Sequence, residues 1–141
     1  MTTFAELLAQ AEAQERTQRK LRKRRHDEEH HIQSVCVQWF RLTHPALSKC
    51  LFAVPNGGRR DASTGAKLKE EGALAGVADL ILLVPRGPYG ALLIEMKTPK
   101  GRQSDEQKAW QKAVEKQGYC YILCRSLDEF QTKIEQYLAQ N

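Results

Sequence analysis

The chain has 141 residues, 41% hydrophobic and 28% charged, with a formal net charge of +5. A chain of this length is one domain by the usual prior, and it buries roughly two thirds of its unfolded surface without needing disulfide staples. No apolar run approaches the roughly 20 residues of a membrane span, and the N-terminus carries early acids in place of a secretory apolar segment, so no membrane is expected and the cytoplasm is the expected location.

The positive charge is unevenly spread. Residues 1–26 carry seven basic and three acidic side chains, while the remaining 115 residues are close to neutral. From Thr3 to about Arg25 the chain has no Gly or Pro and is rich in helix formers, with Thr3 and Glu6 spaced as a capping box. Only Phe4, Leu7, Leu8 and Ala11 form an apolar stripe there. Residues 1–26 are therefore expected to be a basic helical arm, its run RKLRKRR either binding phosphates or forming a solvated face. Asp27 is expected to cap a second, core-packed helix, with Ile32, Val35, Cys36, Trp39, Phe40 and Leu42 at helical spacing until Pro45 ends it. Glu29 and Gln33 share a face of that helix. On position alone, Glu29 reads first as a solvent-facing first-turn carboxylate favoured by the helix dipole.

Leu51 to Val54 reads as a short buried strand, followed by the tight loop Pro55-Asn56-Gly57-Gly58 and then by Arg59 and Arg60. Ser63 or Thr64 is expected to cap a short helix carrying Lys67 and Lys69 and stopping at Gly72. A glycine-rich turn flanked by arginines and lysines suits a sugar-phosphate backbone, but it matches no nucleotide-binding fingerprint, so no nucleotide cofactor is expected.

The stretch GVADLILLVPRGPYGALLIEMK, Gly76 to Lys97, reads as two apolar strands joined by a Pro/Gly turn. With a side-chain period of two, Glu95 and Lys97 share one face with Leu93, while Leu92, Ile94 and Met96 take the other. In a hairpin, Asp79 comes to lie near that charged end. Burying charge beside Leu and Ile is costly unless the charge is paired or holds a metal. The basic turn Thr98 to Arg102, including Lys100, follows. Two further helices, capped by Ser104 with Gln107 and by Ser126 with Glu129, flank a strand from Tyr119 to Cys124. The four cysteines, Cys36, Cys50, Cys120 and Cys124, lack paired zinc-site spacing and are expected to be reduced, buried thiols. The element order gives an α/β protein with a mixed central sheet flanked by helices and an N-terminal helical basic arm.

Two carboxylates from adjacent strand ends can hold a divalent ion through hard oxygen ligands, and such an ion assists phosphodiester hydrolysis. A lysine two residues beyond the second carboxylate would stand beside the same phosphate. Spacing alone fits an ion pair at a strand edge equally well.

Several segments in order sharpen this reading: EHHIQ, FAVPNGGRR, KLKEEGALAGVADLIL, LLIEMKTPKGRQSDEQKAW and QGYCYILC. From about Glu28 to Leu138 the sequence resembles the VRR-NUC family of the PD-(D/E)xK nuclease superfamily. The resemblance implies a restriction-endonuclease-like core over residues 27–141 and a DNA endonuclease dependent on Mg²⁺ or Mn²⁺, selective for four-way junctions or other branched DNA. Linear or single-stranded DNA, or a non-catalytic DNA-binding role, are the alternatives. It further implies metal ligation by Asp79, Glu95, the Met96 carbonyl and Glu29, catalytic roles for Asp79, Glu95, Lys97 and Gln107, and a homodimer. Arg59, Arg60, Lys67, Lys69, Lys100 and Arg102 are the DNA-binding candidates. Ala78 departs from the family's usual Pro before the Asp, a change confined to the backbone entering the strand.

Overall fold

A computed structural model of the chain describes residues 1–55 and 62–141. The chain opens with one helix, α1, from Phe4 to Thr43, whose start carries the expected Thr3–Glu6 capping box. The break expected at Asp27 is absent. An Asp inside a helix costs a few tenths of a kcal/mol, less than ending one helix and nucleating another, and no Gly or Pro lies nearby. Every residue from 1 to 28 is exposed. Beyond Glu29 the same helix turns Cys36 and Phe40 fully into the core, with Ile32, Val37 and Trp39 packed around them. At Pro45 the helix gives way to a 3-10 turn, Pro45–Cys50, with the proline at its start.

Four strands follow in spatial order β1 (Leu51–Ala53), β2 (Leu80–Leu82), β3 (Leu92–Met96) and β4 (Cys120–Cys124). The first two pairings are antiparallel and the third is parallel, which makes the expected mixed sheet. One sheet face presents Leu80, Leu82, Leu92, Ile94, Met96 and Cys124 to α1 and to the closing helix α4 (Leu127–Leu138). From α4, Phe130, Ile134 and Tyr137 complete this core, and the Tyr137 hydroxyl donates to the Val84 carbonyl at 2.6 Å. Burial pushes the Cys36 thiol up to about 11 and the Cys124 thiol up to about 12, so both are inert apolar fillers.

Helix α2 (Ala62–Glu70) begins before Ser63 and Thr64, so these lie within its first turn and not at its cap. Helix α3 (Asp105–Lys116) has the full Ser104–Gln107 capping box. Helix α4 has half of the expected box. Ser126 accepts from the Glu129 N–H, but the Glu129 carboxylate turns to the Arg125 N–H and to Lys133.

Helix α3 lies against the second sheet face, where Trp110 meets Tyr121 edge-on. The close approach of β2 to the start of α3 depends on Gly76, which has φ +87°. A Cβ there would stand 2.6 Å from the Glu106 carbonyl carbon and 2.9 Å from the Gln107 nitrogen. Gly76→Ala is expected to lower stability by about 2–4 kcal/mol through combined strain and clash. Thermal melting checks this, and an unchanged melting temperature would show that α3 tolerates displacement.

Candidate active site

The candidate site is built at the end of the β2–β3 hairpin. The pairing of Leu80 with Ile94 continues one step to set Asp79 opposite Glu95, on the face shared by Ile81 and Leu93. The Asp79 Oδ2 accepts the Met96 N–H at 2.8 Å, so this carboxylate extends the ladder beyond the last strand residue and is fixed in direction. Glu95 is fully buried, at 0% exposure.

A charge in that position needs partners, and Glu95 has two directional ones. Gln107 Nε2 donates to its Oε1 at 2.9 Å and the Tyr121 hydroxyl to its Oε2 at 3.1 Å. Gln107 is itself fixed, because its Oε1 accepts the Ser104 N–H in the α3 capping box. Tyr121 accepts from Gln103 Nε2 at 3.1 Å, and the same amide donates to Gln111 at 2.9 Å. A single chain of hydrogen bonds therefore runs from α3 through Gln103 and Tyr121 to Glu95.

Burial pushes the Glu95 carboxyl from the usual 4.5 up to about 8, and the charge and hydrogen bond of Asp79 act in the same direction. Lys97 and the Tyr121 hydroxyl oppose the rise. Tyr121 is in turn held well above the ordinary phenol range by burial and by the Glu95 charge. Without a cation, Glu95 is a wholly buried carboxylate set beside the half-buried Asp79, and its raised affinity for a proton follows from that burial and that neighbour.

Lys97 leaves the end of β3 half-buried, its N–H bonded to the Cys124 carbonyl at 2.9 Å and its stem against Gly101. The turn after it is clamped by Arg125, whose guanidinium donates to the carbonyls of Thr98 and Gly101. That clamp fixes where Lys100 and Arg102 stand, both exposed. Glu29 lies on α1 at the point where the helix leaves the core. Burial and Asp79 raise its carboxyl above the ordinary range, while Lys97 and His26 pull it back, which puts Glu29 within electrostatic reach of the hairpin end.

Among the described residues, no group of three or more His, Cys, Asp and Glu side chains is arranged as a metal-ligand cluster. Asp79 and Glu95 stand together as a pair, and Glu29 lies within their electrostatic reach. The pair fits a hard divalent cation on its own chemistry, since two facing carboxylates, one of them wholly buried, carry a repulsion that such an ion removes.

The DNA-contact candidates are more scattered. Lys67 and Lys69 are both exposed on α2, but residues two apart leave a helix about 200° apart, so one phosphate backbone meets one of them. Arg59 and Arg60 lie outside the described residues.

The sequence reading missed Tyr121, Gln103 and Arg125. Alternation along β4 does set Tyr121 opposite the face of Cys120, Ile122 and Cys124. The missing step was the parallel register, which pairs Tyr121 with Leu93 and so puts it on the face of Glu95. Tyr121→Phe is expected to cost about 1 kcal/mol of stability and to lower divalent-metal affinity or cleavage about 10-fold. Melting and metal titration check this. Unchanged values in both would make Tyr121 a packing residue only.

Comparison with known proteins bears on the same residues. A VRR-NUC domain model matches residues 12–128, a span that takes in every candidate ligand and starts within the exposed part of α1. A solved structure described as a VRR_NUC domain protein is 27% identical, with a TM-score of 0.71 over 80% of this chain and 89% of its own. No curated protein matches the chain.

Proposed function

The chain belongs to the VRR-NUC family, and from that membership and the pairing of the wholly buried Glu95 with Asp79 we propose that it is a metal-dependent DNA endonuclease acting on branched DNA. Its mixed sheet with flanking helices is a restriction-endonuclease-like α/β fold, and its domain is of nuclease type with DNA as substrate. No described helix is long and apolar enough to cross a membrane.

The observation that carries the catalytic reading is Glu95, a wholly buried carboxylate set against a second carboxylate and fixed by Gln107 and Tyr121. A protein that only bound DNA would have no use for it, because paired carboxylates repel phosphate. In this reading the Asp79 and Glu95 carboxylates and the Met96 carbonyl would hold one Mg²⁺ or Mn²⁺. Such an ion, when bound, lowers the pKa of water and neutralises charge developing on the phosphate.

The remaining work falls to the chain's own residues. Gln107 and Tyr121 keep Glu95 in one orientation, so its oxygens need no rearrangement as the substrate arrives. Lys97 brings a fixed positive charge to the scissile phosphate, where it orients the attacking water and stabilises the extra negative charge of the pentacovalent state. Glu29, within electrostatic reach of the pair from α1, would add a further carboxylate for the divalent ion. Lys100 and Arg102, on the turn clamped by Arg125, meet the flanking backbone, with Lys67 or Lys69, Arg59 and Arg60 as further contacts.

Preference for branched DNA is the finer part of the reading. Two copies related by a two-fold axis would present two such sites to opposed strands of a four-way junction, as a homodimer requires. Cleavage of labelled four-way junction, flap, linear duplex and single strand by the purified protein, compared at equal metal concentration, tests it. Faster cutting of the junction is the expected result. Equal rates on linear duplex would replace this preference with a general DNA nuclease.

A further inference from the structure

We propose that the exposed N-terminal half of α1 is a second DNA-contact surface, a basic rail gripping the phosphate backbone of the duplex that leads into the Asp79–Glu95 site. The proposal deepens the nuclease reading above and rests on it for the identity of the polyanion.

Its first support is a charge pattern that the fold does not explain. Between Arg16 and His26 there are seven Arg and Lys side chains and no acid, and all are exposed. None makes an ion pair among the described residues, where Lys133–Glu129 is the only salt bridge. Like charges three and four apart repel along a helix, each pair by a few tenths of a kcal/mol, and Arg16–Lys20 and Arg19–Lys23 are such pairs. The acids that flank the run, Glu12 and Glu15 before it and Asp27 and Glu28 after it, offset this repulsion only at its ends. A polyanion turns this repulsion into attraction.

The second support is direction. Arg25 and Arg22 lie four and seven residues before Glu29, on the same side of the helix. Glu29 is the first half-buried residue of α1, the helix that packs against β3, and it lies within electrostatic reach of Asp79 and Lys97. The basic surface therefore begins one turn from the site and runs away from it along a single unbroken helix. From Glu29 to Arg16 is about 20 Å of helix, over which one strand of a duplex presents about six phosphates. The carboxylates of the site repel DNA, and a rail in line with them supplies the attraction they lack. The exposed Phe4, Leu7 and Leu8 at the far tip make self-association of the arm the competing use.

The experiment measures binding of full-length protein to a labelled linear duplex by fluorescence anisotropy over a range of salt, in EDTA so that nothing is cut. Replacing Arg19→Gln, Arg22→Gln and Arg25→Gln together keeps good helix formers on an exposed surface. The slope of log affinity against log salt is expected to fall by about 2 to 3, with binding about 10-fold weaker. The charge-preserving set Arg19→Lys, Arg22→Lys and Arg25→Lys is expected to keep the slope. Lys49→Gln, Lys112→Gln and Lys116→Gln, which removes the same charge elsewhere, is expected to change it by less than about one. The proposal is overturned if the arm variant matches this control, or if its slope is unchanged while its mass in solution falls to that of a monomer. Because binding is read without turnover, a protein that shows the slope change yet never cuts upholds the rail and removes the nuclease reading. One that cuts with an unchanged slope does the reverse.

Discussion

Asp79→Asn is expected to lower single-turnover cleavage of DNA by about a thousandfold while leaving the protein folded. The new amide keeps an oxygen for the Met96 N–H, which Asp79 now accepts at 2.8 Å, so the end of β3 holds its shape. What is lost is one of two negative oxygen donors for the divalent ion. Removing that charge beside Glu95 also relieves repulsion, so the metal-free variant is expected to melt no lower than the parent. Lys97→Ala is expected to cost cleavage about a hundredfold or more, since in the proposed mechanism its ammonium brings a positive charge to the scissile phosphate. Its backbone N–H bond to Cys124 survives the change. Near-parental cleavage by both variants would remove the hairpin end from the chemistry.

The second large effect is a pH dependence of stability. Glu95 is raised from 4.5 to about 8 in the folded protein, first by burial and then by Asp79. The folded chain thus keeps a proton that the unfolded chain has released above about pH 4.5. Stability from this group is complete below that pH and is lost as the pH rises through about 8, by about 5 kcal/mol in all. Metal-free protein is therefore expected to melt about 10 °C lower at pH 8 than at pH 5, all else equal. Glu95→Gln is expected to flatten that dependence and raise the melting temperature at pH 8, while abolishing cleavage. Added Mg²⁺ should stabilise the parent far more at pH 8 than at pH 5, because at the lower pH it must displace a proton. A parent protein whose stability is level over this range would mean that Glu95 is ionised and satisfied without a cation.

Local signals made much of the fold legible. The caps at Thr3 and Ser104 act within three residues, and the hairpin alternation fixed which of Leu92 to Met96 face the core. The failures came where the outcome depends on competition or on distant partners. Asp27 looks like a helix start, but nothing downstream makes a break cheaper than continuing. Glu129 has the spacing of a capping box, yet Lys133, four residues on, and the Arg125 N–H draw its carboxylate away. In the site, Asp79, Glu95 and Lys97 were visible as charges in an apolar hairpin. Tyr121 and Gln103 were not, because a tyrosine in a strand and a glutamine before a helix carry no chemistry until register and docking bring them to Glu95.

The central claim is that Asp79 and Glu95 together make a metal-dependent site for cutting DNA. Its most direct test follows labelled DNA with wild-type protein in Mg²⁺ or Mn²⁺, the same protein in EDTA, and Asp79→Asn in metal. Product in the first reaction and none in the other two is the predicted result. Equal cutting in EDTA, or by Asp79→Asn, would contradict it.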